Sequence, residues 1–293
     1  MKIVITGSES FIGRELIAQL RQAGAEIVGF DLVEKPSTDY EFHRADVRTP
    51  QFADELPEGV DAIVHLAALS RDPDCRGRAY ECFDANVMGS LNVMNAAVKK
   101  NAKQLIFSSS EWVYDRFEGD EEKDEDALIN IVNHTSEYAL SKLVTEANLR
   151  QRYSQGFLAT TILRFGIIYG PRKANWGAVE SISSAVKNQP EVTVGSLKNG
   201  RRYVHISDIC RGIIKSIGLA GFNIINLSGN KVVTLREVIE TAERIFGKKV
   251  NIIESNPAQV SVRNPSNRRA KELIGWEPQM DLENGLKTLF PFV

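Results

Sequence analysis

Lys2-Ile3-Val4-Ile5-Thr6-Gly7-Ser8-Glu9-Ser10-Phe11-Ile12-Gly13 opens the chain and decides its fold. Lys2–Thr6 is a short apolar run that reads as a buried strand. It passes directly into a glycine turn, and the turn into a helical pattern over 10–23. Strand, glycine turn and helix in that order make the phosphate-binding corner of a doubly wound sheet. Backbone N–H groups at the helix start can meet a diphosphate there, and glycine allows a tight turn and close approach. Gly7, Ser10, Phe11, Ile12 and Gly13 are therefore candidate dinucleotide-binding residues. Ser10 stands where a third glycine is usual, so its Cβ would crowd the diphosphate or its hydroxyl would donate to it.

Outward from this corner, strand-like runs recur at 26–30, 62–66, 104–108 and 159–163, several without polar alternation. Helical stretches at 80–100 and 135–153 are long enough for parallel crossovers. The alternation predicts a Rossmann-type doubly wound parallel sheet with helices on both faces. After Arg164 the rhythm changes: a turn at Gly170-Pro171-Arg172, a helix over 179–187, an alternating run at 202–206 and a helix-rich end. The expected domains are 1–164 with about 203–224, and a smaller α/β lobe from 165–202 and 225–293. The acidic segment 118–126 reads as a solvated loop.

Composition closes off other classes. The 293 residues are 43% hydrophobic and 25% charged, which excludes wholesale disorder. A net charge of −2 offers no global pull toward nucleic acid or anionic lipid. No apolar run approaches the ~20 residues that cross a bilayer, and Met1–Gly7 is expected to be strand and turn, without the pattern of a signal peptide. Three cysteines without CxxC spacing and four scattered histidines predict neither a disulfide framework nor a metal site. A cytoplasmic setting is expected.

Asp31 ends the run 26–30, 24 residues after Gly7, near the ~20-residue spacing of a ribose-binding carboxylate. An acid there accepts from the ribose hydroxyls and repels a 2′-phosphate, and Leu32 follows it rather than an arginine, so NAD is favoured over NADP. Asp46 and Val47 are placed to flank the adenine, and His65-Leu66-Ala67-Ala68 to close the pocket floor. Tyr138 and Lys142 share one helical face at i, i+4. A free phenol titrates near ~10, and an ammonium beside it lowers that value toward useful acid–base chemistry. Ser108-Ser109-Ser110-Glu111-Trp112 leaves a strand at the sheet edge where ligands bind, so the Ser110 hydroxyl could hold the oxygen on which Tyr138 acts; a serine-rich turn is the alternative.

Taken in order, Thr6-Gly7…Gly13, Asp31, Asp46-Val47-Arg48, His65–Ala68, Asn86, Ser109–Tyr114, Tyr138…Lys142, Leu163-Arg164…Tyr169-Gly170-Pro171, 201–209 and 273–278 resemble the extended short-chain dehydrogenase/reductase family, in its NAD-dependent nucleotide-sugar epimerase/dehydratase branch. The resemblance implies hydride transfer at C4 of a nucleotide-activated sugar. Tyr138 would be general acid/base, Lys142 would tune it and bind the nicotinamide ribose, and Ser110 would hold the sugar hydroxyl. It adds Asn86, Ser108 and Phe165 to the cofactor set. It makes Ser110, Glu111, Trp112, Ile167, Arg172, Trp176, Arg201 and Arg263 candidate substrate contacts, with Arg201 on the diphosphate. A homodimer through the two helices 80–100 and 135–153 is also implied.

The departures narrow the chemistry. Dehydratases of the branch carry Thr-x-Glu from the position of Ser110; here Trp112 replaces that acid and Glu111 stands one place early, as a further catalytic candidate should it turn inward. Indole cannot shuttle protons, which leaves a 4-epimerase or a 4-ketoreductase favoured over a 4,6-dehydratase. An NAD(P)H-dependent reductase of a 4-keto-6-deoxy sugar or other carbonyl is the alternative, and a catalytically silent dinucleotide-binding regulator the remote one.

Overall fold

The computed structural model describes every residue but Asp39 and Asp120, and the chain divides into two compact units. The first comprises Met1–Asp115, Leu128–Arg164 and Cys210–Ile225; the second comprises Arg116–Ala127, Phe165–Ile209 and Asn226–Val293. Segment 116–127 thus belongs with the second unit, not with 1–164 as drawn from the sequence. No helix among the described residues is long and apolar enough to cross a membrane.

The first unit is built on β1 (Lys2–Thr6), β2 (Glu26–Asp31), β3 (Glu41–Arg44), β4 (Ala62–His65), β5 (Gln104–Ser110) and β6 (Ala159–Phe165). With the strand Phe222–Leu227 they form a seven-stranded sheet in the order Phe222–Leu227, β6, β5, β4, β1, β2, β3. Registers from β3 through β5 are parallel. β4 and β5 are buried along their whole length, which is why their sequences are continuous apolar or small-residue runs. The order reverses direction at β1, with β2 on one side and β4 on the other. Ligands of open α/β sheets bind at the carboxyl ends of strands flanking such a reversal.

Helix α1 (Phe11–Gln22) buries Gly13, Leu16, Ile17 and Leu20, the i, i+3, i+4, i+7 stripe that its sequence lays down. Each fully buried aliphatic side chain contributes roughly 1.5–3 kcal/mol. The long helix expected over 80–100 is broken into Ala79–Phe83, a π-turn at Asp84–Met88 and Gly89–Lys99. The widened turn contains Asn86, whose amide accepts from Leu69 N–H at 2.8 Å and donates to Leu69 O at 3.0 Å and Ser141 Oγ at 2.9 Å.

In the second unit, Gly200–Arg201 lies between Val233–Thr234, antiparallel, and Val262–Arg263, parallel. Thr234 and Glu237 cap helix Leu235–Phe246 reciprocally, and Gly247 at φ +62° ends it. Two distant sequence signals meet here. The buried Trp276 indole donates to Asp208 O at 2.9 Å, and Asp208 Oδ2 accepts from Gln279 and Met280 N–H at 3.2 and 3.0 Å.

The acidic segment is the expected solvated loop only in part: Glu118, Gly119, Glu121, Glu122 and Asp126 are exposed, while Lys123, Asp124 and Glu125 are partly or fully buried. Lys123 bridges to Pro265, with Lys123 N–H donating to Asn264 O at 3.1 Å and Ser266 N–H to Lys123 O at 2.8 Å. Glu122 meets Arg202 at 2.9 Å, Asp124 meets Arg268 at 3.3 Å, and Asp126 pairs with Arg269. Glu125 is buried and accepts from Asn226 N–H at 2.7 Å. Glu122, Asp124 and Asp126 meet arginines far along the chain, so a local charge count could not reveal these pairs.

Candidate active site

The turn after β1 has the shape its glycines require. Gly7 adopts φ +70°, and a Cβ on it would come within 2.8 Å of Ala67 N; at Gly13 it would come within 2.4 Å of Gly7 O. Ser10 is the N-cap of α1: its Oγ accepts from Gly13 N–H at 3.1 Å, which gives the residue replacing glycine a helix-starting role. Phe11 and Ile12 form the first turn of that helix. Asp31 closes β2, its Oδ1 accepting from Leu32 N–H at 2.7 Å and its Oδ2 from Glu9 N–H at 2.9 Å. A helix N-terminus, two glycines that backbone atoms would crowd, and a carboxylate on the next strand together fit a dinucleotide diphosphate and ribose.

The flanking candidates divide. Ala67 N–H donates to Thr6 Oγ1 at 3.3 Å, beside Gly7, and Ala68 is half-buried next to it. Leu66 is buried, and so is Val47, which packs in the core and touches the Gly89 position. Arg48 forks onto Asp46 at 2.6–3.0 Å and holds that carboxyl below its ordinary range. Leu32 is exposed. Asn86 spends its amide on Leu69 and Ser141, holding the chain after β4 against helix Glu137–Ser154.

A run of hydrogen bonds leads from this turn to the end of β5. Thr6 Oγ1 lies 2.7 Å from His65 Nδ1, whose other nitrogen lies 3.0 Å from Ser90 Oγ. Burial pushes His65 down to about 3, so the imidazole is neutral. Ser108 Oγ donates to His65 O at 2.9 Å, and Ser108 O accepts from Lys142 Nζ at 2.8 Å. Tyr138 and Lys142 lie on one face of helix Glu137–Ser154, and the ammonium sits 4.8 Å from the Phe107 ring and 5.9 Å from the Tyr138 ring. Ser110 lies near enough to the Tyr138 phenol to lower its pKa, and its Oγ accepts from Trp112 N–H at 3.2 Å.

The electrostatics differ from the sequence expectation. Burial pushes the Tyr138 phenol up to about 12, against a lowering influence of Ser110. Burial also drives Lys142 down to about 8. Desolvation is the largest cause of both shifts, because both side chains are buried in the fold. Glu111 is fully buried, and Trp112 packs with Leu69, Cys75, Cys82 and Tyr138.

The second-unit candidates form two groups. Arg201 and Arg263 are register partners on adjacent strands. Arg201 donates to Gly200 O at 2.7 Å and to Ser261 O at 2.6 Å, and Arg263 lies 5.0 Å from the Phe117 ring. Arg172 pairs with the buried Glu180 at 2.7 Å, and Trp176 Nε1 donates to Arg172 O at 2.9 Å. Ile167 packs on that unit's core, and Phe165 is buried.

Sequence reasoning passed over the support behind Tyr138. Glu146 continues the face of Tyr138 and Lys142 at i+8 and i+4, which was a readable signal. It accepts from Ser109 Oγ at 2.5 Å and takes a fork from Arg164 at 3.1 and 2.7 Å. Cys75 and Cys82, scattered in sequence, pack directly on Tyr138. Nothing local marks them.

Comparison with known proteins agrees with this geometry. The chain is 26% identical over 305 residues to a UDP-glucuronate 4-epimerase of Thermodesulfobacterium geofontis, covering 97% of this chain and 93% of the relative. It is 27% identical over 302 residues to UDP-glucuronic acid decarboxylase 6 of Arabidopsis thaliana, covering 98% and 87%. Its fold matches MoeE5, solved with UDP-glucose and NAD, at a TM-score of 0.87 and 23% identity over 100% of this chain and 98% of that one. The family model for NAD dependent epimerases and dehydratases matches residues 3–227. With a turn that fits its cofactor NAD and a match over most of its length, the chain belongs to the NAD dependent epimerase/dehydratase family.

Proposed function

We propose that this enzyme acts at C4 of a nucleotide-activated hexose, with Tyr138 as general acid/base, Lys142 tuning it and Ser110 holding the sugar hydroxyl. The observation that carries the reading is the convergence of Ser110, Tyr138 and a buried ammonium near the carboxyl end of β5, with Lys142 Nζ 2.8 Å from Ser108 O and 5.9 Å from the Tyr138 ring. NAD, when bound, supplies the hydride acceptor and donor. Tyr138 Oη takes the C4 hydroxyl proton and later returns it, while Ser110 fixes the same oxygen and the Lys142 charge steadies the phenolate. Lys142 keeps its place through Ser108 O, and Ser110 stands at the end of the fully buried β5.

The first unit would hold the dinucleotide, with Asp31 on the adenosine ribose, and the second the sugar nucleotide, with Arg201 and Arg263 on its diphosphate. Two curated relatives are named for UDP-glucuronate, which supports a uridine diphosphate sugar here. Trp112 supports C4 chemistry over dehydration, because the elimination acid is replaced by indole. Tyr80, Met88 and Val98, which are 83%, 51% and 56% exposed, support a homodimer through the segment 80–100 and helix Glu137–Ser154.

Incubation with UDP-, GDP-, CDP- and dTDP-hexoses, hexuronic acids and 4-keto sugars tests the assignment. The expected result is inversion at C4 without net change in nicotinamide absorbance. Net NADH consumption on a 4-keto sugar would replace epimerisation by reduction. Loss of carbon dioxide from a hexuronate would overturn both.

A further inference from the structure

Glu9 is the one acidic residue inside the Gly7–Gly13 turn. Its backbone N–H donates to Asp31 Oδ2 at 2.9 Å, which brings the turn up against the carboxylate at the end of β2. The Glu9 side chain does not swing into solvent: the residue is 8% exposed, and its Oε1 accepts from the Tyr40 hydroxyl at 2.7 Å. The same phenol lies 3.0 Å from Ser8 Oγ. Tyr40 reaches this point across β2 where Gly29 stands; a Cβ there would come within 2.3 Å of the Tyr40 ring. Arg14 donates to the Glu9 carbonyl at 2.9 Å, but its Nε stays 3.9 Å from the carboxylate, and its side chain is 60% exposed. An exposed cation at that distance neutralises little. The charges of Glu9 and Asp31 both act on Tyr40, and with burial they raise its phenol above the ordinary range.

We propose that Glu9 is a cofactor-specificity residue: held by Tyr40 beside Asp31, its carboxylate bars a 2′-phosphate from the adenosine end, so NAD is selected over NADP by two carboxylates. Tyr40 is the positioning residue. A phosphate ester at the ribose carries a charge of about −1.5 to −2 near neutrality. Asp31 would face it directly and Glu9 from the turn, in a partly desolvated corner where like charges repel strongly. Replacing Asp31 alone therefore leaves much of the discrimination in place. The inference rests on the dinucleotide site and not on the C4 chemistry.

Calorimetric titration of the full chain with NAD and with NADP tests it, using wild type, Glu9→Gln, Asp31→Asn, the double variant and Tyr40→Phe. Glu9→Gln is expected to tighten NADP by about tenfold while changing NAD by less than about threefold, as removal of one like charge should. The double variant should exceed either single one, and Tyr40→Phe should shift the NADP-to-NAD ratio partway with an unchanged unfolding midpoint. Wild-type titration against salt needs no substitution: the preference for NAD should shrink as salt rises. A ratio insensitive to both Glu9→Gln and salt, with Asp31→Asn alone giving the whole switch, would overturn the proposal. Failure to bind either dinucleotide would overturn it together with the cofactor site, whereas absent sugar turnover with these ratios intact would overturn only the C4 assignment.

Discussion

Lys142 Nζ donates to Ser108 O at 2.8 Å, so the ammonium is anchored to the last turn of β5 rather than to an acidic side chain. A carbonyl dipole and two ring faces are weak compensation for a charge taken out of water. That is the physical origin of the fall in its pKa to about 8 from the ordinary 10.5.

This arrangement makes stability depend on pH in a defined window. Below pH 8 both the folded and unfolded chains carry the proton, and the burial penalty is fully present. Between about 8 and 10.5 the unfolded state binds more protons, so stability rises with pH, by up to roughly 3 kcal/mol. Above pH 10 the raised phenol of Tyr138 reverses the trend, because the unfolded tyrosine loses its proton first. Urea midpoints of wild type and Lys142→Met should converge as pH rises from about 8 to about 10; parallel curves would show that the ammonium is not strained.

Tyr138→Phe removes the buried phenol hydroxyl whose pKa Ser110 lowers. Turnover at saturating sugar nucleotide should fall by about 10²–10⁴-fold, the usual worth of a positioned acid/base. NAD affinity should stay within a few-fold, since the ring and Lys142 remain. Undiminished turnover would remove Tyr138 from the chemistry.

Glu146 and Arg164 form an ion pair with side chains 5% and 4% exposed. Glu146→Gln leaves a buried guanidinium without its countercharge and also weakens the partner of Ser109, a cost of about 3–5 kcal/mol. Replacing both by Leu and Met should cost less than the single change, because no charge is then stranded. Chemical denaturation of the three proteins decides the order.

Gly13→Ala and Gly24→Ala separate crowding from backbone conformation. The first puts a methyl 2.4–2.5 Å from two backbone oxygens of the turn, so the corner must open; it should cost roughly 1–3 kcal/mol and weaken NAD binding measurably. The second has φ +72° with nothing near its Cβ, so only the left-handed conformation is penalised, by about 1 kcal/mol, and NAD binding is untouched. Paired melting and titration curves check both.

What was legible in the sequence was local or periodic. β1, β2, β4, β5 and β6 could be read because double-sided burial leaves unbroken apolar runs. β3 could not: Glu41-Phe42-His43-Arg44 is an edge strand, half-buried and nearly without apolar residues. The shared face of Tyr138 and Lys142 follows from helix period alone, whereas their pKa values depend on burial by segments far apart in sequence. Tyr40 closing on Glu9, and Glu122 to Asp126 finding Arg202, Arg268 and Arg269, are long-range pairings for which no short window carries a signal.

The chain passes between its two compact units five times, at Asp115, Ala127, Arg164, Ile209 and Ile225. No single cut therefore separates the two units, and expressing the gene as two halves would leave strands whose partners are on the other fragment. During synthesis the first unit has all its segments only once Ile225 is made, and the second only when the last quarter of the chain, 226–293, has followed.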